Sequence, residues 1–311
     1  MKTEILSVAN MYGPSLERLE REFTVHKLWQ AADKEKMLVE VGPRMRGMQA
    51  AGHANVDDAL LARLPKLEII ASFGVGYDGI DAAAAKRRNI IVTNTPDVLN
   101  DCVADLTIGL MIAAARRICE GDRYVRAGKW LAAPLPLARK VSGKRLGILG
   151  LGRIGRTIAK RAAAFDMHIA YHSRNRVADA PYRYYERLVD LARDSEFLVI
   201  IAPGGPATRH IVNEDVLRAL GPKGILVNVA RGSLVDEAAL VKCLQEGALG
   251  GAALDVFEAE PKVPEALFAM ENAVLQPHVG SATHDTRKAM GDLTVDNLLA
   301  HFAGKPVLTP V

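Results

Sequence analysis

The sequence predicts an α/β protein with two doubly wound parallel-sheet domains and a cleft between them. Three observations support this fold class. Short apolar strands alternate with helical segments before residue 100, the same alternation restarts after residue 144, and a glycine-rich turn opens the second run. Such alternation is typical of a parallel sheet with helices on its faces. Crossings near residues 100 and 282 would place 1–99 plus 283–311 in one domain and 100–282 in the other.

The first run contains short elements of both types. Strands are predicted at Ile5–Val8, Phe23–Leu28, Met37–Val41, Leu67–Ala71 and Ile90–Thr93, and helical segments at Ser15–Glu22, Leu60–Leu64 and Ala82–Ala85. One long helix then follows from Asp101 to about Gly128, capped by Asn100 or Asp101 and apolar on most faces. A helix of this length and apolarity either crosses between domains or packs against a second subunit.

The second run is a full doubly wound pattern. Its predicted strands are 146–149, His168–His172, Phe197–Ile201, Gly224–Val229, Gly251–Asp255 and Ala273–Leu275. Its predicted helices are 153–165, 185–193, 214–220 and 236–245, and a last helix, from His284 to Ala303, is expected to return to the first domain.

The glycine-rich turn is K-R-L-G-I-L-G-L-G-R-I-G, in which Gly150, Gly152 and Gly155 follow a buried strand and begin a helix. This spacing permits a tight turn, close approach of a pyrophosphate to bare backbone, and close packing of helix on strand. A glycine-rich turn without a ligand is the alternative. The run of strands and helices that follows favours a dinucleotide-binding Rossmann domain.

The end of the next strand, Y-H-S-R-N-R, bears on which dinucleotide is bound. An NAD-specific site usually has an Asp or Glu here to bind the ribose 2′-hydroxyl. This chain has Ser173, Arg174 and Arg176 instead, and a hydroxyl with guanidinium groups suits a 2′-phosphate. We therefore expect NADPH, with NADH as the second choice. The alternative is that both arginines are solvated loop charges.

Polar residues follow three later strands, in N-V-A-R-G, D-V-F-E-A-E-P and P-H-V-G-S-A-T. Ligands bind at the carboxyl ends of strands in open α/β sheets, so these segments are expected to converge. Arg231 could bind a substrate carboxylate and polarise its carbonyl, and His278 could donate a proton as hydride arrives. Glu260 would orient His278 and favour its imidazolium form. Taken singly, each has a plain alternative as a surface Arg, a loop Glu or a capping His.

Composition limits the classes of partner. The net charge of +4 is spread without a long basic run, so we expect neither nucleic acid nor a membrane surface as partner. The first ten residues show no signal-peptide pattern, and the apolar stretch Leu106–Ala115 is too short to span a bilayer. Cys102, Cys119 and Cys243 are far apart and form no CxxC pair, which favours thiols in a reducing cytoplasm over disulfides or metal ligands.

On these segments the chain resembles the D-isomer-specific 2-hydroxyacid dehydrogenases. The matching pieces, in the family's order, are S-F-G-V-G-Y-D-G-I-D, T-P-D-V-L-N-D-C-V-A-D, S-G-K-R-L-G-I-L-G-L-G-R-I-G, N-V-A-R-G-S-L-V-D, L-D-V-F-E-A-E-P and Q-P-H-V-G-S-A-T. Within the family the likeness is greatest to NADPH-dependent glyoxylate/hydroxypyruvate and hydroxyphenylpyruvate reductases. The resemblance implies a flavodoxin-like substrate domain, a Rossmann cofactor domain and a homodimer.

The resemblance also implies residue roles. Arg231, Glu260 and His278 take the catalytic positions, and Glu260 is preferred to Glu258 because it directly precedes the proline. The N–H groups of Val75 and Gly76 would bind the substrate carboxylate. The implied cofactor-binding residues are Gly150, Gly152, Arg153, Ile154, Gly155, Ser173, Arg174, Arg176, Ala202, Pro203, Val229, Ala230, Asp255 and Gly280. P-G-G-P-A-T at 203–208 departs from the bulkier family stretch, which leaves substrate size open.

The resulting hypothesis is a cytoplasmic, NADPH-dependent reductase of glyoxylate and hydroxypyruvate. Alternatives are a hydroxyphenylpyruvate or phenylpyruvate reductase, an NAD-linked dehydrogenase working oxidatively, and a non-catalytic dinucleotide sensor like the family's corepressors. No metal is expected, and the remaining histidines are interpreted as structural or solvated: His26, His53, His168, His172, His210, His284 and His301.

Overall fold

A computed structural model describes residues 2–52 and 54–311, so His53 lies outside the described residues. The chain forms two compact units, Met1–Leu99 with Ser281–Val311, and Asn100–Gly280. The second crossing therefore falls at 280/281, where the sequence places it at 282/283. Each unit is built on one parallel sheet, which confirms the prediction of two parallel-sheet α/β domains.

The first unit has a five-stranded parallel sheet in the order β2-β1-β3-β4-β5, the flavodoxin-like order. The strands are β1 Glu4–Ser7, β2 Thr24–Lys27, β3 Gly47–Ala51, β4 Ile69–Phe73 and β5 Ile91–Thr93. The helices are α1 Gly13–Glu22, α2 Lys34–Val41, α3 Asp58–Ala62, α4 Ala82–Arg87 and, after the second unit, α11 His284–Phe302.

The predicted strand at Met37–Val41 is wrong, because these residues complete helix α2. The Asp33 carboxylate caps this helix by accepting a hydrogen bond from the Lys36 N–H. Leu38 and Val41 are its buried residues, and their spacing of three is that of one helix face. The strand lies later, at β3, which the sequence analysis did not predict and whose five residues are all buried.

Residues from the end of the chain complete the first unit. Helix α11 packs against α1 and β4. A Cβ on Gly291 would lie 2.0 Å from Ser15 Oγ, so the glycine permits the close approach of α11 to α1. The tail then runs antiparallel to β5, where the Val311 N–H donates to the Val92 carbonyl at 3.0 Å.

The second unit has a seven-stranded parallel sheet in the order β12-β11-β10-β9-β6-β7-β8. Its strands are β6 Arg145–Leu149, β7 His168–His172, β8 Arg183–Tyr184, β9 Phe197–Ile200, β10 Ile225–Asn228, β11 Gly251–Leu254 and β12 Ala273–Leu275. Its helices are α5 Asn100–Arg116, α6 Ile118–Arg126, α7 Arg153–Ala163, α8 Leu188–Arg193, α9 Glu214–Leu220 and α10 Glu237–Gln245. This is the Rossmann order with one strand added, and the strand order reverses between β6 and β9.

The predicted single helix from Asp101 to Gly128 is wrong, because it consists of α5 and α6. Arg117 interrupts it with a left-handed backbone (φ 54°), and its guanidinium pairs with Glu120 at 2.6 Å. Helix α5 buries six residues and packs against α7, β10 and β11, whereas α6 buries none of its nine. None of the described helices has the length and apolarity needed to cross a bilayer.

Candidate active site

The glycine turn lies at the point where the strand order of the second unit reverses. Gly150 follows β6 with φ 102°, and a Cβ there would lie 2.9 Å from the backbone nitrogen of Ala202, which follows β9. A Cβ on Gly155 would lie 2.1 Å from the Gly150 carbonyl oxygen, so only glycine lets α7 begin this close to the turn.

Gly152 faces open space. It occupies the N-cap position of α7, and a Cβ there would meet no atom of the described residues within 4 Å. A glycine offers no side-chain acceptor to the first N–H groups of the helix, which therefore suit an anion. The three glycines thus fit the pyrophosphate of a dinucleotide, with Arg153, Ile154 and Gly155 supplying the first turn. A bound nicotinamide dinucleotide supplies hydride chemistry to such a site.

The loop after β7 carries the residues expected to select the cofactor. Ser173 is half-buried, and its hydroxyl donates to the Asn175 carbonyl at 2.6 Å. Arg174 and Arg176 are exposed, and neither forms an ion pair with any residue that the structure describes. Two uncompensated guanidinium groups at this strand end suit a phosphate.

The turn after β10 holds Val229, Ala230 and Arg231. The side chain of Asn228, 1% exposed, accepts from the Ala230 N–H at 3.1 Å and donates to the Arg231 carbonyl at 2.9 Å. A Cβ on Gly232 would lie 1.9 Å from the Phe257 carbonyl carbon, so this turn lies directly against the segment that leads to Glu260. Neither Asn228 nor Gly232 is predicted as a site residue from the sequence, although both stand in the N-V-A-R-G segment.

His278 and Glu260 are in direct contact. The distance between His278 Nδ1 and Glu260 Oε2 is 2.7 Å, and Glu260 Oε1 accepts from the Phe257 N–H at 3.1 Å. Burial alone would raise the pKa of Glu260. The hydrogen bond and charge of His278, the Phe257 N–H and the charge of Arg231 instead hold that pKa below its usual range.

The rival carboxylate, Glu258, has other partners. Its Oε1 accepts from Arg209 Nη2 at 2.5 Å and from His210 Nε2 at 2.9 Å. Burial opposes these contacts, yet they lower the pKa of Glu258. The geometry therefore gives each carboxylate one histidine, and it is Glu260 that contacts His278.

Asp255 holds the loop that carries His278. Its carboxylate accepts from the Val279 N–H at 2.7 Å and from the Gly280 N–H at 2.8 Å, and its carbonyl accepts from the His278 N–H at 2.8 Å. Asp255 is 1% exposed, and burial raises its pKa despite the two N–H donors. The family resemblance places Asp255 beside the cofactor, and this role stays a prediction; its hydrogen bonds in the structure hold the loop of His278.

Other predicted site residues take separate places. Pro203 lies in the loop after β9, where its carbonyl accepts from the Thr208 hydroxyl at 2.8 Å.

Val75 and Gly76 lie in the first unit, in the turn after β4. The Asn94 side chain donates to the Val75 carbonyl at 2.8 Å, and the Gly74 N–H donates to Thr95 Oγ1 at 3.1 Å. Within the described residues, no group of three His, Cys, Asp or Glu side chains could hold a metal ion.

The chain is similar to proteins of one known family. Residues 108–280 match the family model described as D-isomer specific 2-hydroxyacid dehydrogenase, NAD binding domain. The chain is 53% identical to glyoxylate/hydroxypyruvate reductase A of Arabidopsis thaliana over 99% of this chain and 98% of that protein. It is 51% identical to hydroxyphenylpyruvate reductase of Plectranthus scutellarioides, over 95% and 94%.

Solved structures show the same similarity. A 2-hydroxyacid dehydrogenase from Ketogulonicigenium vulgare superposes with a TM-score of 0.94 at 48% identity, covering 100% of this chain and 98% of that one. An NADPH-dependent glyoxylate/hydroxypyruvate reductase from Sinorhizobium meliloti, solved with NADP and malonate, gives 0.93 at 43%, covering 100% and 97%.

Proposed function

This chain belongs to the D-isomer-specific 2-hydroxyacid dehydrogenase family, and we propose that it is an NADPH-dependent reductase of small 2-oxo acids, first of all glyoxylate and hydroxypyruvate. The observation that carries the proposal is the His278–Glu260 contact of 2.7 Å, in the same unit as the glycine turn. In this proposal Asn100–Gly280 binds the dinucleotide, and Met1–Leu99 with Ser281–Val311 binds the substrate.

Each catalytic residue has a role that its chemistry supports. His278 donates the proton to the carbonyl oxygen, and Glu260 fixes the imidazole through Nδ1 so that Nε2 can face the substrate. Arg231 binds the substrate carboxylate and polarises its carbonyl. The N–H groups of Val75 and Gly76 give the carboxylate a second pair of donors.

NADPH is proposed as the preferred cofactor because of the loop after β7. Ser173 with the exposed Arg174 and Arg176 suits a 2′-phosphate, and no carboxylate stands at these positions to repel it. The Sinorhizobium meliloti relative solved with NADP supports the same choice. Replacing Ser173 with Asp is expected to move the preference towards NADH. An unchanged ratio of kcat/KM for the two cofactors would refute this placement.

The reaction is tested by following NADPH oxidation with glyoxylate, hydroxypyruvate and phenylpyruvate. Turnover of the first two supports the proposal, and no turnover with any of the three refutes it. Faster turnover of phenylpyruvate would favour the second candidate, an aryl-pyruvate reductase, which the 51% identity to the Plectranthus scutellarioides enzyme brings into consideration.

Alanine variants test the assigned roles. His278→Ala and Arg231→Ala should each lose most of kcat/KM while circular dichroism shows a folded protein. His168→Ala is the matched control, because His168 is exposed at the opposite end of its strand from the cofactor loop. Wild-type rates in either site variant would remove that residue from the mechanism.

A homodimer is the proposed assembly. Large apolar side chains are exposed along 118–137: Ile118, Val125, Trp130, Leu131 and Leu137, at 52%, 57%, 69%, 96% and 99%. Exposed apolar groups concentrated in one segment favour a protein interface. Sedimentation should give twice the monomer mass, and replacing Leu131 and Leu137 with Asp should lower the sedimenting mass towards that of the monomer.

A cytoplasmic location is also proposed, because the three cysteines are free thiols, and cell fractionation tests this location.

A further inference from the structure

We propose that Tyr171 is a positioning residue for cofactor selection: its buried hydroxyl holds the loop after β7 in the shape that presents Ser173, Arg174 and Arg176. This inference rests on the proposed preference for NADPH. It assigns a role to a residue that itself touches no part of the 2′-phosphate.

The Tyr171 hydroxyl closes the loop on itself. It accepts a hydrogen bond from the Val177 N–H at 2.9 Å and donates one to the Val177 carbonyl at 3.3 Å. Val177 directly follows Arg176, so one hydroxyl fixes both backbone groups at the far end of the loop. Tyr171 is 1% exposed and lies on β7 just before the loop begins, which gives this anchor a rigid base.

A second tyrosine secures the near end of the loop. The Tyr184 hydroxyl, on the edge strand β8, donates to the Ser173 carbonyl at 3.3 Å. Its ring lies against that of Tyr171, with centroids 5.3 Å apart, and stacks on that of His172 at 6.5 Å and 8°. The residues that would bind phosphate therefore stand on a loop fastened at both ends by phenol groups.

The hydrogen bonds that order the loop backbone matter because the two arginine side chains on it are not ordered by ion pairs. Arg174 and Arg176 are exposed and form no ion pair within the described parts of the chain. Binding a phosphate must order these long side chains, and ordering the backbone as well would add to the entropic cost. A loop already held by Tyr171 avoids that second cost. NADH has no 2′-phosphate, so its affinity depends much less on this loop.

The test is Tyr171→Phe, which keeps the ring in the core and removes only the hydroxyl. The Val177 N–H then loses the oxygen that accepts its hydrogen bond, and the Val177 carbonyl loses the hydroxyl that donates to it. We expect kcat/KM with NADPH to fall about tenfold, mainly through KM, while the value with NADH stays within about twofold. Titration calorimetry with adenosine 2′,5′-bisphosphate, compared with adenosine 5′-monophosphate, should show the same selective loss without turnover.

Two further variants make the result specific. Tyr184→Phe removes only the bond to Ser173 and should lower the NADPH/NADH ratio in the same direction. Tyr185→Phe is the matched control, because its hydroxyl contacts Asp194 rather than the loop, and it should keep the wild-type ratio.

The outcomes separate the two proposals. A wild-type enzyme that prefers NADPH, with an unchanged ratio in Tyr171→Phe, overturns the role of Tyr171 and leaves the cofactor proposal standing. Equal losses with NADPH and NADH also overturn it, because they indicate a purely structural role. A wild-type enzyme that binds NADPH no better than NADH overturns both.

Discussion

Replacing Gly155 with alanine is expected to destabilise the second unit, because α7 approaches the glycine turn too closely for a side chain. The new Cβ would lie 2.1 Å from the carbonyl oxygen of Gly150 and 3.1 Å from its carbonyl carbon. Both atoms belong to the backbone, so no change of rotamer relieves the clash. Helix α7 has to move away from the turn, or the turn has to open.

The size of the effect follows from two opposing contributions. A backbone clash this close puts the cost of overpacking at about 3 kcal/mol, whereas alanine in place of glycine near a helix start returns about 1 kcal/mol. The net loss is therefore about 2 kcal/mol. For a unit of this size each kcal/mol lowers the melting temperature by about 2–4 °C, which predicts a fall of about 4–8 °C.

Gly152→Ala is the matched control, with the opposite expected result. Its Cβ would lie more than 4 Å from every atom that the structure describes outside its own chain neighbours, and a backbone φ of −79° is open to L residues. Loss of the glycine at the N-cap costs less than about 1 kcal/mol, so the melting temperature should fall by less than about 4 °C. The methyl group instead occupies the space proposed for the pyrophosphate, and NADPH should bind at least about tenfold more weakly.

Thermal unfolding without cofactor and NADPH titration by fluorescence measure the two quantities separately. Cofactor is left out of the melts because a ligand that binds only the folded state would raise the melting temperature. A Gly155→Ala protein that melts like the wild type would refute the packing argument. A Gly152→Ala protein that binds NADPH like the wild type would refute the placement of the pyrophosphate.

Three further predictions concern the carboxylates around His278. Glu260→Gln should lower kcat for reduction about tenfold, since an amide binds His278 Nδ1 less strongly than the carboxylate does. Steady-state rates should show this loss, and a wild-type kcat would contradict it, with Glu258→Gln as the control. The lowered pKa of Glu260 means that its ionised form stabilises the fold above its unfolded pKa of about 4.3, and this contribution is lost as the pH falls through the folded value. Urea unfolding of wild type and Glu260→Gln should therefore give stabilities that converge towards pH 3, and a constant difference would argue against the linkage. Asp255→Asn places an amide NH₂ against the Val279 or Gly280 N–H, which disturbs the loop that carries His278. We expect kcat to fall about tenfold or more while NADPH still binds. An unchanged kcat would show that the loop keeps its shape without the carboxylate.

The sheet of the second unit was largely predictable from sequence. The central strands β6, β9, β10 and β11 are short, largely apolar runs that are buried on both faces, as parallel strands between helices must be. The glycine spacing then identifies β6 as the strand next to the reversal. Strand β8 was not predicted, because its two residues are recognisable only by their pairing with β7.

The first unit was less predictable, and β3 shows why. Its sequence G-M-Q-A-A has no β-branched residue and a polar side chain at its centre. Gln49 is tolerated because its amide accepts from the Ser7 hydroxyl at 2.6 Å and donates to the Ala50 carbonyl at 3.0 Å. These partners come from the fold, so local sequence carries no sign of them. The break at Arg117 is similar, since nothing apolar or turn-forming marks that position.

The candidate site likewise contains residues that could be selected from the sequence and contacts that could not. Arg231 and His278 could be selected because their residue types and strand-end positions limit the choice, whereas Glu260 was preferred to Glu258 on the family resemblance. The contacts of Asp255, Asn228 and Tyr171 depend on which backbone groups lie opposite them. Those neighbours are set by tertiary structure, and residue type alone does not indicate them.

The route of the chain through the first unit has a consequence for synthesis on the ribosome. Strands β1–β5 emerge first, but α11, which covers β4, and the tail that pairs with β5 emerge only after Asn100–Gly280. At about 5–20 residues per second, that intervening unit takes roughly 10–40 s to translate. The Rossmann unit is continuous and can fold during this interval, whereas the earlier strands wait with one face open. Premature release before Ser281 would leave the apolar surface of β4 uncovered, and we expect such nascent chains to depend on chaperones.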